Sequence, residues 1–293
     1  MQQITEKAEK NSMQAHISED SISEKDICQF FGVQSLTEVD FIKHPEHSPA
    51  ENMLFDIARA EALLERKAAP MLRLYSWKPF AVSLGAHQRE RDIDTQRCHE
   101  RGLEIVRRPT GGRAVLHAEE LTYSLAVPLQ TEGAPQRTIH EIYRDVHIIL
   151  LNALQRLGFR GIFFQKSQTD FRALYRSSHV SMPCFASSAR YELMHEGRKV
   201  VGSAQKLYSK DGQNVVLQHG SILLGRAHEC LADVLNLSDD TEREEVRRVI
   251  RSQSVSLQEV WEEEGNTPQE ISWECCADAV FEAFGNVAKV KVE

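Results

Sequence analysis

Residues 107–124 set three arginines around a pair of adjacent glycines: Arg107-Arg108-Pro109-Thr110-Gly111-Gly112-Arg113, then Ala114-Val115-Leu116-His117. Adjacent glycines let backbone approach a bound group closely, because no Cβ stands in the way. Arg107, Arg108 and Arg113 can hold a phosphate or a carboxylate through paired N–H donors. His117 adds a ring that can bind a ligand or line a pocket. The same run also fits a glycine turn between two strands with solvated arginines, and His117 also fits a structural histidine with its hydrogen bonds satisfied. Residue types alone leave both readings open.

The loop must be held by its neighbours. Ile105-Val106 leads in, and strand-like residues resume over 114–116 and 121–127. Upstream, Ser48-Pro49-Ala50-Glu51 is a helix start with a capping box, and Met53, Ile57, Ala60 and Leu64 recur at helical spacing. Residues 72–77 and 81–84 read as strands separated by a Lys78-Pro79 turn, and 43–48 reads as loop. The charged stretch 89–102 predicts a surface helix stopped by Gly102. A long helix is expected from Thr138 to Gly158, with Thr138 and Glu141 as a second capping box. After a short strand at 161–164 and a loop at 165–181, residues 198–224 read as a hairpin turning at 209–213. Beyond Arg226 the pattern is helical. The last helix is expected to open at Thr267-Pro268-Gln269-Glu270 and end near Gly285, with a final strand over 287–292.

Composition narrows the class. The 293 residues are 41% hydrophobic and 27% charged, as in ordinary globular proteins. A net charge of −8 argues against a general nucleic-acid binder. No run of eighteen apolar residues is present, and the polar N-terminus lacks a signal-peptide core, so the reading is a cytoplasmic protein without membrane association. Six cysteines form no Cys-x-x-Cys pair, which fits reduced thiols and no zinc site.

A second series follows the arginine–glycine loop: Met182-Pro183-Cys184-Phe185, Tyr191-Glu192-Leu193, Gly197-Arg198-Lys199-Val200-Val201-Gly202-Ser203-Ala204-Gln205 and Gln218-His219-Gly220-Ser221. In this order, these segments resemble the lipoate–protein ligase and octanoyltransferase superfamily, on the octanoyltransferase side. Ligases of the superfamily more often carry a third glycine where this chain has Arg113. Ala118 is a departure, standing where many members have aspartate. The resemblance spans roughly residues 50–225. It implies an α+β fold of the biotin/lipoate ligase class, a mostly antiparallel sheet flanked by helices. The expected division is a flexible leader over 1–30, a catalytic domain over 31–225 and a helical segment over 226–293 packed on it.

The resemblance also implies the chemistry. Lys199 occupies the superfamily's Lys-x-x-Gly position, where the lysine meets the acyl carbonyl. Cys184, fifteen residues upstream, stands where the resembled transferases carry their nucleophile. Octanoyl would pass from acyl carrier protein to Cys184, then to a lysine on the glycine cleavage H protein or an E2 lipoyl domain, with no cofactor. A free thiol near pKa ~8.5 is only a few per cent ionised at pH 7, so a neighbouring ammonium is useful. Backbone N–H groups at Gly111-Gly112 or Gly202-Ser203-Ala204 would serve the oxyanion. Val115, Val201 and Leu224 are candidate walls for the acyl chain. Without the resemblance, Cys184 fits a small buried hydrophobe, Lys199 a solvated strand residue and His219 a packed hairpin residue. The competing functions are an ATP-dependent ligase, an amidotransferase between lipoyl domains and a non-catalytic binder of acylated carriers.

Overall fold

The computed structural model describes residues 22–130, 136–164, 191–267, 269–285 and 291–292. Helix α1 (Glu24–Phe31) precedes strand β1 (Asp40–His47), helix α2 (Pro49–Leu64) and strands β2 (Met71–Trp77) and β3 (Ala81–Leu84). Helix α3 (Thr95–Glu100), β4 (Glu104–Arg107), β5 (Val115–His117) and β6 (Glu120–Pro128) follow. Next come α4 (Ile139–Arg156), β7 (Phe163–Phe164), β8 (Leu193–His195), β9 (Arg198–Lys199), β10 (Val201–Lys210) and β11 (Gln213–Leu223). The chain ends with α5 (Leu231–Val234), α6 (Asp240–Gln253), α7 (Leu257–Glu263), α8 (Trp273–Ala283) and β12 (Lys291–Val292).

Six strands form the main sheet in the order β10-β11-β6-β2-β1-β12. The pairs β10–β11, β11–β6 and β6–β2 are antiparallel, whereas β2–β1 and β1–β12 are parallel. A smaller sheet, β4-β3-β5, carries the arginine–glycine loop between its outer strands. The third sheet, β7-β8-β9, delivers Lys199. This is the expected α+β arrangement of sheets flanked by helices.

Local chemistry places the helices. Ser48 and Glu51 close the capping box of α2, and Thr138 and Glu141 close that of α4, each satisfying orphan N–H groups. Gly158, at φ 100°, stops the chain after α4. In the β10–β11 hairpin, Asp211 and Gly212 both take positive φ, the two-residue turn that matches strand twist.

Four expectations need correction. Residues 43–47 lie in β1 rather than in a loop. Phe41 and Ile42 are followed by polar residues, and buried His44 is held by Arg73 Nε at 2.8 Å instead of by apolar packing. The leader read over 1–30 overlaps α1, where Ser23 and Asp26 form a capping box and Ile27, Phe30 and Phe31 are buried. The charged stretch 89–102 is a short 3-10 turn, Glu90–Asp92, and then α3 capped by Asp94. The last helix starts after Ser272, whose hydroxyl accepts from Cys275 N, while the Thr267 carbonyl accepts the Trp261 indole.

The largest core cluster joins both halves of the chain. Ile142, Val146 and Ile149 of α4 meet Leu72, Leu125 and Val216 of the sheet and Val280, Phe281 and Phe284 at the C-terminal end. The 226–285 helices therefore share a core with the sheet. Among the described residues no helix is long and apolar enough to cross a membrane.

Candidate active site

A cavity of about 350 Å³ lies between the central strands of the main sheet and the arginine–glycine loop. Its volume is at the small end of ligand pockets, which run from about 300 to 1,000 Å³. Met53 of α2, Tyr75 and Trp77 of β2 and Val115 of β5 supply an apolar wall. Opposite them stand Gly202, Ser203 and Ala204 of β10 and His219, Gly220 and Ser221 of β11. A side chain at Gly220 would meet the Gly202 carbonyl and Ser203 Oγ at 2.6 Å, so the two strands approach here only because Gly220 has none.

The arginine–glycine loop is a scaffold in its own right. Arg108 is buried and donates to the carbonyls of Gly111 (3.0 and 3.2 Å), Arg113 (2.6 Å) and Ser83 (3.0 Å), and to Ser83 Oγ (2.9 Å). Gly112 takes φ 97°, and its carbonyl lies 1.9 Å from where a Cβ on Gly85 would be. Two glycines thus permit one crossing. Arg107 reaches back to the Gly85 and Gln88 carbonyls at 2.9 and 2.7 Å and borders no part of the cavity.

His117 stacks on Trp77, with ring centroids 4.1 Å apart and planes 15° apart. Its Nδ1 lies 2.7 Å from Glu120 Oε1 and its Nε2 2.7 Å from Ser83 Oγ. Glu120 Oε1 also accepts from Thr122 Oγ1 (2.6 Å) and Ser221 Oγ (2.8 Å), while Trp77 Nε1 donates to Thr122 Oγ1 (2.7 Å). His117 is a satisfied structural histidine that also forms cavity wall. Fixing Trp77 and His117 in one network gives the cavity a rigid side, the condition for selecting a ligand by shape.

A second buried network lies beneath. Arg73 pairs with Asp56 at 3.1 Å and donates to Asn52 Oδ1 at 2.6 Å; its guanidinium lies 4.1 Å from the Tyr75 ring centroid. Tyr75 donates to Asp56 Oδ2 at 3.1 Å, and burial and the Asp56 charge push its pKa well up. His219 Nδ1 sits 3.7 Å from Asp56 Oδ2, and its Nε2 lies 2.6 Å from Thr110 Oγ1 on the loop. Burial lowers the His219 pKa, and Asp56 opposes that shift.

Lys199 lines the cavity with its Nζ 2.8 Å from Glu192 Oε1, both residues buried. Cys184 lies outside the described residues. The described residues that flank its stretch adjoin one another: Phe164 pairs with Leu193, and the Phe164 and Tyr191 rings are 6.4 Å apart.

Of the residues singled out from sequence, Arg108, Gly111, Gly112, His117, Lys199, Gly202, Ser203 and Ala204 border this one cavity. Arg107 and Arg113 do not border it, nor do Val201 and Leu224, which belong to the main core. Sequence reading missed Glu192 as the partner of Lys199, and the Asp56, Arg73 and His219 network. One signal was available: Asn52 and Asp56 fall four apart on the buried face of α2 among Met53, Ala60 and Leu64. Among the described residues, His195, Glu196 and Glu263 are close enough to share a cation. None borders the cavity, and Glu263 already pairs with Arg198 and His195.

Residues 48–285 match the family model of the lipoyl protein ligase A/B catalytic domain. The octanoyltransferase LipM of Kyrpidia tusciae is 37% identical over 247 residues, covering 84% of this chain and 85% of that protein. LipM of Bacillus subtilis is 36% identical over 223 residues, covering 76% and 78%. Among solved structures, a bipartite lipoate protein ligase from Thermoplasma acidophilum superposes with a TM-score of 0.60 at 17% identity, covering 87% of this chain and 86% of that one. That likeness shows the fold, and the sequence relatives carry the kinship: the chain belongs to the lipoyl protein ligase A/B catalytic domain family.

Proposed function

We propose that this chain is an octanoyltransferase of lipoate assembly that carries the acyl group on Cys184, between an acyl carrier protein and a lysine of a lipoyl-accepting domain, the glycine cleavage H protein. Octanoyl transfer is the activity named for relatives matched over 84% and 76% of this chain. The observation that carries the two-step reading is the buried Lys199 cation on the wall of a largely apolar cavity, beside the point where the Cys184 stretch rejoins the described fold.

Each part has a physical task. The wall of Met53, Tyr75, Trp77 and Val115 takes the alkyl chain; burying about six methylenes at ~0.8 kcal/mol each gives roughly 5 kcal/mol. The Lys199 charge stabilises the Cys184 thiolate and then the oxyanion on the acyl carbonyl. Glu192 holds the ammonium in place. Backbone N–H groups at Gly111-Gly112, free of side chains, add oxyanion donors. The donor is already a thioester, so no nucleotide is needed.

The test supplies octanoyl-acyl carrier protein and apo-H protein without ATP and follows the mass of the H protein. Gain of one octanoyl group is the expected outcome. Modification only from free octanoate or lipoate with ATP would make the chain a ligase, and modification only from an octanoylated lipoyl domain would make it an amidotransferase.

A further inference from the structure

Ser203 lines the cavity from β10, and the hydrogen bonds behind it run in one direction because their end groups permit no other. Gln205 Nε2 donates to the Ile139 carbonyl (2.9 Å) and to Gln218 Oε1 (2.8 Å), and Gln218 Nε2 donates to Tyr123 Oη (2.9 Å). At the far end, His147 Nδ1 lies 2.8 Å from the Tyr143 carbonyl, which can only accept. Nδ1 therefore carries the ring proton, and Nε2 keeps a lone pair. Nε2 faces Ser203 Oγ at 3.2 Å, so the serine proton points there. The 2.7 Å contact between Tyr123 Oη and Ser203 Oγ is then a donation from the tyrosine.

Neither end reverses near neutral pH. Burial brings the His147 pKa down to about 4, the Tyr143 carbonyl opposing this and the Lys199 charge adding to it. Burial pushes Tyr123 up to about 12. The Ser203 hydroxyl is left with one lone pair for the cavity and no proton to offer it. That polarity is wrong for an oxyanion and right for an N–H donor.

We propose that Ser203 Oγ seats the incoming lysine amine, and that His147 and Tyr123 are positioning residues that keep its hydroxyl an acceptor. The inference rests on the two-step reading above. In the second step the amine nitrogen attacks the acyl carbonyl and the C–N bond forms. The C–S bond breaks with its electron pair going to the Cys184 sulfur, which takes up the proton that the amine loses. Ser203 accepts an N–H hydrogen bond throughout and keeps its own proton. Amide N–H groups in the carrier's pantetheine arm share this chemistry, but they would act in the first step.

The two steps separate the sources. Loading from octanoyl-acyl carrier protein and transfer from isolated loaded enzyme to apo-H protein are each timed in single turnovers of the full chain. Ser203→Ala is expected to slow transfer about 10- to 100-fold more than loading, the range for losing one hydrogen bond to an amine or ammonium. His147→Phe, which keeps a ring beside Tyr143, is expected to act in the same direction and to add less than about twofold in a Ser203→Ala background. Equal slowing of both steps, or greater slowing of loading, would overturn the assignment, as would a His147→Phe effect that persists in full without the serine. A wild-type chain that transfers octanoyl without ever loading would instead overturn the two-step reading, and this inference with it.

Discussion

Lys199 and Glu192 form a buried pair, so replacing one takes a close partner from a poorly solvated charge. Lys199→Met should cost about 1–3 kcal/mol in denaturant unfolding, and Lys199→Met with Glu192→Gln should recover part of it without restoring turnover. Lys199→Ala should also move alkylation of Cys184 to higher pH; an unchanged alkylation profile with lost turnover would confine the lysine to the acyl carbonyl. His147 gives a separate test. Its folded pKa of about 4 lies below the ordinary 6.5, so the unfolded chain binds the proton first. Its contribution is full above pH 6.5 and is lost as pH falls toward 4, by about 3 kcal/mol. Replacing His147 by Phe should flatten the stability curve by that amount over that window; parallel curves would count against the buried neutral imidazole. At this scale, legibility followed motif membership. Lys199, Gly111, Ser203 and His219 stood in recognisable runs, whereas the residues His219 joins, Asp56 and Arg73, are single polar residues among apolar neighbours on α2 and β2. Their partners lie far off in sequence, and only the folded sheet brings them together.

Glycines at the loop divide sharply by what surrounds them. A methyl group on Gly85 would collide with the Gly112 carbonyl, while one on Gly111 would meet nothing within 4 Å. Gly85→Ala is therefore expected to cost about 1–3 kcal/mol in thermal or denaturant unfolding. Gly111→Ala should stay within about 0.5 kcal/mol of wild type, so any lost turnover would report on the cavity. Similar losses at both positions would contradict the crossing of the two backbones. The capping boxes at Ser48–Glu51 and Thr138–Glu141 made α2 and α4 readable, because side chain and backbone agree within four residues. Strand β1 was not readable, since its pairings with β2 and β12 are parallel and its buried His44 depends on Arg73. Ser23, Asp26 and Gly32 did mark α1 by the same capping logic, but the charged, sparsely apolar run around them hid it.

Across the whole molecule, the fold class and the family followed from ordered motifs, and a helical segment packed on the catalytic domain was expected, but not which residues join the two. Val255, Leu257 and Val260 and the α8 residues Ala277, Val280 and Phe281 complete the core under α4 and the sheet. A chain ended at residue 225 should therefore lose cooperative unfolding and bind a hydrophobic dye, even though it keeps every residue proposed for the chemistry. A sharp unfolding transition would mean that the helices beyond 226 are dispensable. The central claim is that octanoyl rests on Cys184 on its way through the protein. Intact-protein mass spectrometry after incubation with octanoyl-acyl carrier protein, without ATP, tests it most directly. Wild type should gain one octanoyl mass that hydroxylamine removes and that maps to Cys184, and Cys184→Ala should gain none. Labelling that persists in Cys184→Ala, or that maps to Cys98 or Cys230, would contradict it.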